Sequence, residues 1–164
     1  MHERGAVTLR PAGADDCWSL WEWRNEEGAR QASFDPRPIL REEHASWFAR
    51  RLADLAETIF IASAQGREIG YVRFDVVVDG DEARVSVALA PDARGHGYGP
   101  EAISAGVRAF TARRPGCRVT ALIREDNHRS EAAFRHAGFV PAQDDAVACV
   151  AGARCSLMEW PGDA

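Results

Sequence analysis

Two spacings of apolar residues, one strand-like and one helix-like, divide the chain into elements. Residues 7–10 read as a short strand. A helix follows to about Glu26, which Asp15 or Asp16 can cap. On it Cys17, Leu20, Trp21 and Arg24 share one side, leaving Trp23 off the stripe with its indole free to face a cleft. Phe34-Asp35-Pro36-Arg37-Pro38 reads as a loop, because a proline biases the residue before it away from helical angles. Residues 41–54 predict an amphipathic helix, with Phe48, Leu52 and Leu55 at i, i+4 and i+7. Three strands come next, over 58–64, 69–78 and 83–90, joined by turns at Gln65-Gly66-Arg67 and Asp79-Gly80-Asp81.

Beyond Pro91 the pattern changes. A glycine-dense loop leads into a helix from Pro100 or Glu101, where a proline in the first turn loses no hydrogen bond. Ile103, Val107 and Phe110 form its stripe, and Pro115-Gly116 ends it. A buried-type strand over 118–123 precedes a helix from Asn127 or Ser130 to Gly138. Phe139-Val140 and residues 155–160 complete the sheet, while the Ala-rich 142–154 segment is compatible with a hairpin. Antiparallel hairpins followed by strand–helix–strand–helix–strand predict an α+β fold in one domain. Its layers are α/β/α, with a mixed, mostly antiparallel central sheet flanked by helices, unlike a doubly wound parallel sheet.

Composition narrows the chemistry. The 164 residues suffice for one core, and no apolar run approaches the roughly 20 residues of a membrane span. Met1-His2-Glu3-Arg4-Gly5 lacks a secretory pattern, so a cytoplasmic protein without membrane partners is expected. A net charge of -5 argues against a nucleic-acid partner. All 20 basic residues are Arg, which removes both a Schiff-base lysine and a Walker lysine. Cys17, Cys117, Cys149 and Cys155 have no metal-type spacing, so no metal is expected.

The loop Arg94-Gly95-His96-Gly97-Tyr98-Gly99 lies between a strand and a helix. Glycines at every second position let backbone N–H groups turn inward and join the positive helix end as an anion site. Arg94 adds positive charge there, and His96 reads as an exposed neighbour. A dinucleotide fingerprint fails because Pro100 stands where its last glycine is needed.

Arg94, Gly97 and Gly99, together with Asn127, Ser130, Phe134, Gly138 and Phe139, resemble the signatures of the GNAT superfamily of N-acetyltransferases. The resemblance implies that the loop, with Leu89, Asn127, Ser130 and Phe134, holds acetyl-CoA, the acetyl donor. It implies that the preceding strand splays from its neighbour, leaving backbone groups near Leu89 to bind the acetyl oxygen. Members often use a Tyr to protonate the leaving thiolate. Phe134 occupies that position here, so Asn127, Ser130 or water serves, or the thiolate leaves unprotonated. Glu82, Asp75 and His44 are base candidates by residue type alone, and a water chain would also work.

The first half usually forms the acceptor side. Trp23, Arg24 and Asn25, His44 within Glu42-Glu43-His44, and Arg73 are the substrate-binding candidates. Their combination resembles GNAT enzymes that acetylate nucleotide-linked amino sugars in pseudaminic-acid-type biosynthesis. It is less similar to ribosomal-protein N-terminal and aminoglycoside acetyltransferases. Either way the partner is a small-molecule amine or a peptide amine. A non-catalytic acyl-CoA-binding domain is the alternative of another class. Family dimers often use the region around 142–154, which leaves room for a homodimer.

Overall fold

Stretches rich in β-branched and aromatic residues pair into one mixed sheet. The computed structural model describes residues 5–54, 58–77, 80–143 and 148–162; Leu55, Val78 and Asp79 of the expected elements lie outside them. The strands are β1 (Thr8–Pro11), β2 (Ile59–Ala64), β3 (Arg67–Val76), β4 (Glu82–Leu89), β5 (Arg118–Arg124), β6 (Val140–Pro141), β7 (Ala148–Val150) and β8 (Ala153–Glu159). Their order is β1-β2-β3-β4-β5-β8-β6, with β7 paired to β8. Every pairing is antiparallel except β4 with β5. The 142–154 segment, compatible with a hairpin by sequence, contains one: β7 with β8, closed at Ala151 and Gly152, both at positive φ.

Alternation along the strands sends side chains to two cores. Ile59, Ile61 and Tyr71 face α1 (Cys17–Asn25) and α3 (Arg41–Ala53), packing on Leu20 and Phe48. Phe60, Val72 and Phe74 face the opposite way, toward α4 (Tyr98–Arg113) and α5 (His128–Ala137). There the rings of Phe74 and Phe110 stack at 4.3 Å. Helices thus cover both faces, as the order of elements predicts. Gly106 lets α4 sit close on β3, since a Cβ there would lie 2.8 Å from Val72 Cγ1. Gly106→Ala is expected to destabilise the fold by about 1–3 kcal/mol by overpacking, read as a lowered urea midpoint with unchanged m-value.

Three details differ from the sequence reading. Asp16 occupies the N-cap position of α1 but gives it no side-chain bond; its carboxylate accepts from Gly13 N–H and pairs with Arg10 at 2.8 Å. A short helix, α2 (Glu27–Ala32), fills the gap after α1. It lacks an apolar stripe and starts because the Glu26 side chain accepts from the N–H groups of Gly28 and Ala29. Finally, α4 starts at Tyr98 rather than Pro100, with Gly97 as its N-cap at φ 80.

Candidate active site

The parallel pairing of β4 with β5 lasts only from Glu82, Ala83 and Arg84 to Arg118, Val119 and Thr120. Beyond Arg84 the two strands part, and the rest of β4 stays paired to β3 alone, with Leu89 opposite Gly70. Hydrogen-bonding edges alternate along an antiparallel ladder. Ala90 N–H donates to Ile69 O on the β3 side, so the N–H and C=O of Leu89 face the opening toward β5. The expected splay is therefore present; it begins beyond Arg84, and Leu89 lies in its open part.

The chain leaves β4 through a 3-10 turn at Pro91–Ala93 and reaches α4 through Arg94, Gly95, His96 and Gly97. Gly95 and Gly97 both have φ near 80° (79° and 80°), where a side chain is disfavoured. A Cβ at Gly95 would meet nothing within 4 Å, so the loop surface there is open. The first N–H groups of α4, at Tyr98 and Gly99, have no partner within the helix, and Pro100 has no N–H to leave unpaired. This open cradle at the positive end of a 16-residue helix fits an anionic group such as a pyrophosphate. His96 is exposed.

Arg94 is placed differently from the sequence expectation. Its guanidinium is not free beside the cradle. Nη2 pairs with Glu26 at 2.7 Å and Nε donates to Leu89 O at 3.2 Å. Glu26 thereby joins the site, a residue the sequence reading did not single out. Its carboxyl is held down at about 2, first by Gly28 N–H and then by Arg94.

On the far lip, Asn127 is the N-cap of α5, its Oδ1 accepting from Ser130 N–H at 3.2 Å. Phe134 is buried and packs edge-on against Phe139 at 5.1 Å, as part of the core. Of the base candidates, Glu82 sits at the closed end of the β4–β5 pair and accepts from Thr120 Oγ1. Asp75 is held between Arg51 at 2.8 Å and Arg73 at 3.0 Å.

On the α1–α3 side lies a cavity of about 280 Å³, lined by Leu20, Arg24, Ile39, Glu43, His44, Trp47, Arg50, Tyr71 and Arg73. Tyr71 pairs with Ala88, so the cavity wall reaches within one residue of Leu89. Arg24, His44 and Arg73 are brought together here. Trp23 and Asn25 are outside the lining. The Trp23 ring stacks on Tyr71 at 6.4 Å and packs against both cores. Asn25 is engaged at both ends of its amide by the backbone of Ile39.

His44 Nε2 lies 2.7 Å from Cys17 O, which can only accept, so Nε2 carries the proton. Burial pushes the His44 pKa below the usual 6.5, against the raising effect of that carbonyl. Because the folded pKa is the lower one, the unfolded chain takes up the proton first. His44 thus contributes stability fully above pH 6.5, and that contribution is lost as pH falls below it. The urea midpoint is expected to fall between about pH 7 and 5, and His44→Gln to flatten that fall.

Among the described residues no three His, Cys, Asp or Glu side chains gather to hold a metal ion. No helix described is long and apolar enough to cross a membrane.

The fold recurs in solved structures. Spermidine N-acetyltransferase from Vibrio cholerae, in complex with CoA and spermine, superposes with a TM-score of 0.79 at 18% identity, covering 93% of this chain and 94% of that one. A Salmonella typhimurium protein solved with its cofactor acetyl-CoA gives 0.71 at 26% identity, covering 94% and 92%. Ribosomal-protein-alanine N-acetyltransferase from Brucella melitensis gives 0.74 at 22%, covering 93% and 98%. No curated protein sequence matches the chain. The family model of the acetyltransferase (GNAT) domain matches residues 6–140, a span that takes in the splayed strand, the glycine cradle and the Asn127 cap, and the chain therefore belongs to the GNAT acetyltransferase family.

Proposed function

We propose that this GNAT acetyltransferase moves the acetyl group of acetyl-CoA to a primary amine that enters through the cavity between α1, α3 and β3. The observation that carries the reading is the parting of β4 from β5 beyond Arg84, which leaves Leu89 open toward β5, next to Ala88, the partner of cavity-lining Tyr71, and a few residues before the cradle at α4. Acetyl-CoA, when bound, supplies the acetyl group as an activated thioester. The N–H groups around Gly97, Tyr98 and Gly99 would hold its pyrophosphate, and the Leu89 N–H would donate to the acetyl oxygen. A preorganised donor of that kind contributes a few kcal/mol, about 10²-fold or more in rate.

Proton removal is assigned to water rather than to a carboxylate. Asp75 and Glu82 are engaged elsewhere, and burial lowers the His44 pKa, which weakens its unprotonated Nδ1 as a base. Phe134 offers no hydroxyl to the leaving thiolate. Asn127 and Ser130 stand at the start of α5 as polar groups on that lip.

An amino sugar carried on a nucleotide suits the aromatic and arginine-bearing wall of the cavity better than a peptide N-terminus or an aminoglycoside does. The test is an acceptor panel with acetyl-CoA, read by mass spectrometry. It contains UDP-linked 4-amino sugars, short peptides, polyamines and aminoglycosides. Acetylation of the sugar nucleotide is expected. Turnover of a peptide N-terminus alone would refute the sugar assignment. Binding of acetyl-CoA without transfer to any amine would refute catalysis.

A further inference from the structure

We infer that the cavity contains a subsite for an anionic group on the acceptor, formed by Arg24 and Arg50 with Arg73 beside them. The inference rests on reading this cavity as the acceptor site. The chain as a whole is acidic, at -5, yet the cavity wall carries three arginines against the single carboxylate of Glu43. Positive charge is concentrated where the overall balance is negative.

The arginines are also poorly neutralised from within. Arg73 pairs with Asp75 at 3.0 Å, but Asp75 also serves Arg51 at 2.8 Å, so one carboxylate answers two guanidiniums. Arg50 is exposed and has no ion pair among the described residues. Arg24 is held only by neutral oxygens. Its Nη2 donates to Ser33 Oγ at 2.9 Å and to the backbone O of Asp35 at 3.4 Å. The Asp35 carboxylate, whose titration feels Arg24, is already taken by Arg37 at 2.6 Å.

Arg24 Nη1 is the telling atom, being buried with no hydrogen-bond partner among the described residues. Native proteins rarely leave a charged donor so placed, and a guanidinium is built to give two parallel bonds to one oxyanion. An acceptor bearing a phosphate or a carboxylate supplies what this wall lacks. A polyamine would bring like charge against three guanidiniums, which is repulsive. Trp47 and Tyr71 are also among the lining residues and give that wall aromatic surface.

The test is equilibrium binding to the full chain by calorimetry, with matched probes. Glucosamine 6-phosphate is compared with glucosamine, and phenylalanine with phenylalanine amide; spermine is the polycation. At least one anionic probe is expected to bind about tenfold or more tightly than its neutral counterpart. Whichever pair shows the larger ratio identifies phosphate or carboxylate as the source. Arg24→Gln and Arg50→Gln are each expected to erase about tenfold of that preference. Arg24 also braces the loop at Ser33 and Asp35, so exposed Arg50 supplies the variant that keeps the fold. Equal binding of charged and neutral probes, tighter binding of spermine, or an unaltered preference in Arg50→Gln would overturn the subsite. Acetyl transfer without preference for anionic amines sinks this inference alone. Anion binding without acetyl transfer to any amine sinks the catalytic reading and leaves the subsite standing.

Discussion

Gly70→Ala is expected to remove activity and most of the stability together. A Cβ at Gly70 would fall 2.1 Å from Ala88 O and 2.8 Å from Leu89 Cα, and the backbone there has φ +149°. Both neighbours are backbone, so no side chain can swing aside. Nor can β3 retreat, because Val72 and Phe74 fix it in the core and Gly106 brings α4 against it. Overpacking of this kind exceeds the usual range for added methylenes, and a loss of about 4 kcal/mol or more is expected. That is a large share of the about 5–15 kcal/mol that holds a domain folded. Any molecules that do fold must part β3 from β4 at Leu89, so acetyl-CoA turnover in them should drop by about 10²-fold or more. Urea unfolding and thiol release measure the two effects. Gly66→Ala is the comparison. It replaces a glycine at φ +73 with open space around it, so only about 1 kcal/mol is expected. Equal behaviour of the two variants would show that Gly70 does not hold Leu89 in place.

The contrast between those glycines also marks what could be read in advance. Local rules were enough for α5. Asn127 is a residue type that caps helices and does so here, and Gly138 ends the helix at φ 107. The splay was implied by family resemblance, and the three-residue parallel pairing makes it physical. Local rules failed where distant groups decide. α2 begins on a glutamate whose carboxylate is fixed by Arg94, 68 positions later, and its six residues carry no periodic signal. Trp23 lies off the stripe of α1, yet β3 delivers Tyr71 against its ring, so it packs where an open cleft was expected. His44 is a polar residue by type, and Trp47, Phe48 and the Cys17 carbonyl convert it into a buried neutral one. The cavity itself draws on α1, the 33–40 loop, α3 and β3, an assembly that no single window of sequence contains.

Glu26→Gln and Arg94→Gln are each expected to lower kcat/KM for acetyl-CoA by about tenfold, and the double variant by little more than either alone. The geometry makes the pair one device. Glu26 is fixed by the N–H groups of Gly28 and Ala29, Arg94 is fixed by Glu26, and Arg94 Nε holds the Leu89 carbonyl. The start of α2 is thus tied to the strand end that would carry the acetyl oxygen. The rival role for Arg94, a charge reserved for the pyrophosphate, makes the opposite prediction for Glu26. Removing the carboxylate would then release the guanidinium and tighten acetyl-CoA, while Arg94→Gln alone would weaken it. The sign of the Glu26→Gln effect therefore separates a positioning residue from a binding one. Acid gives an independent check. With its carboxyl held at about 2, Glu26 contributes stability in full above its ordinary value of 4.5 and loses it as pH falls toward about 2. Across the neutral range the strap stays intact, so changes in kcat/KM between about pH 6 and 8 must come from other groups, the amine being acetylated first among them.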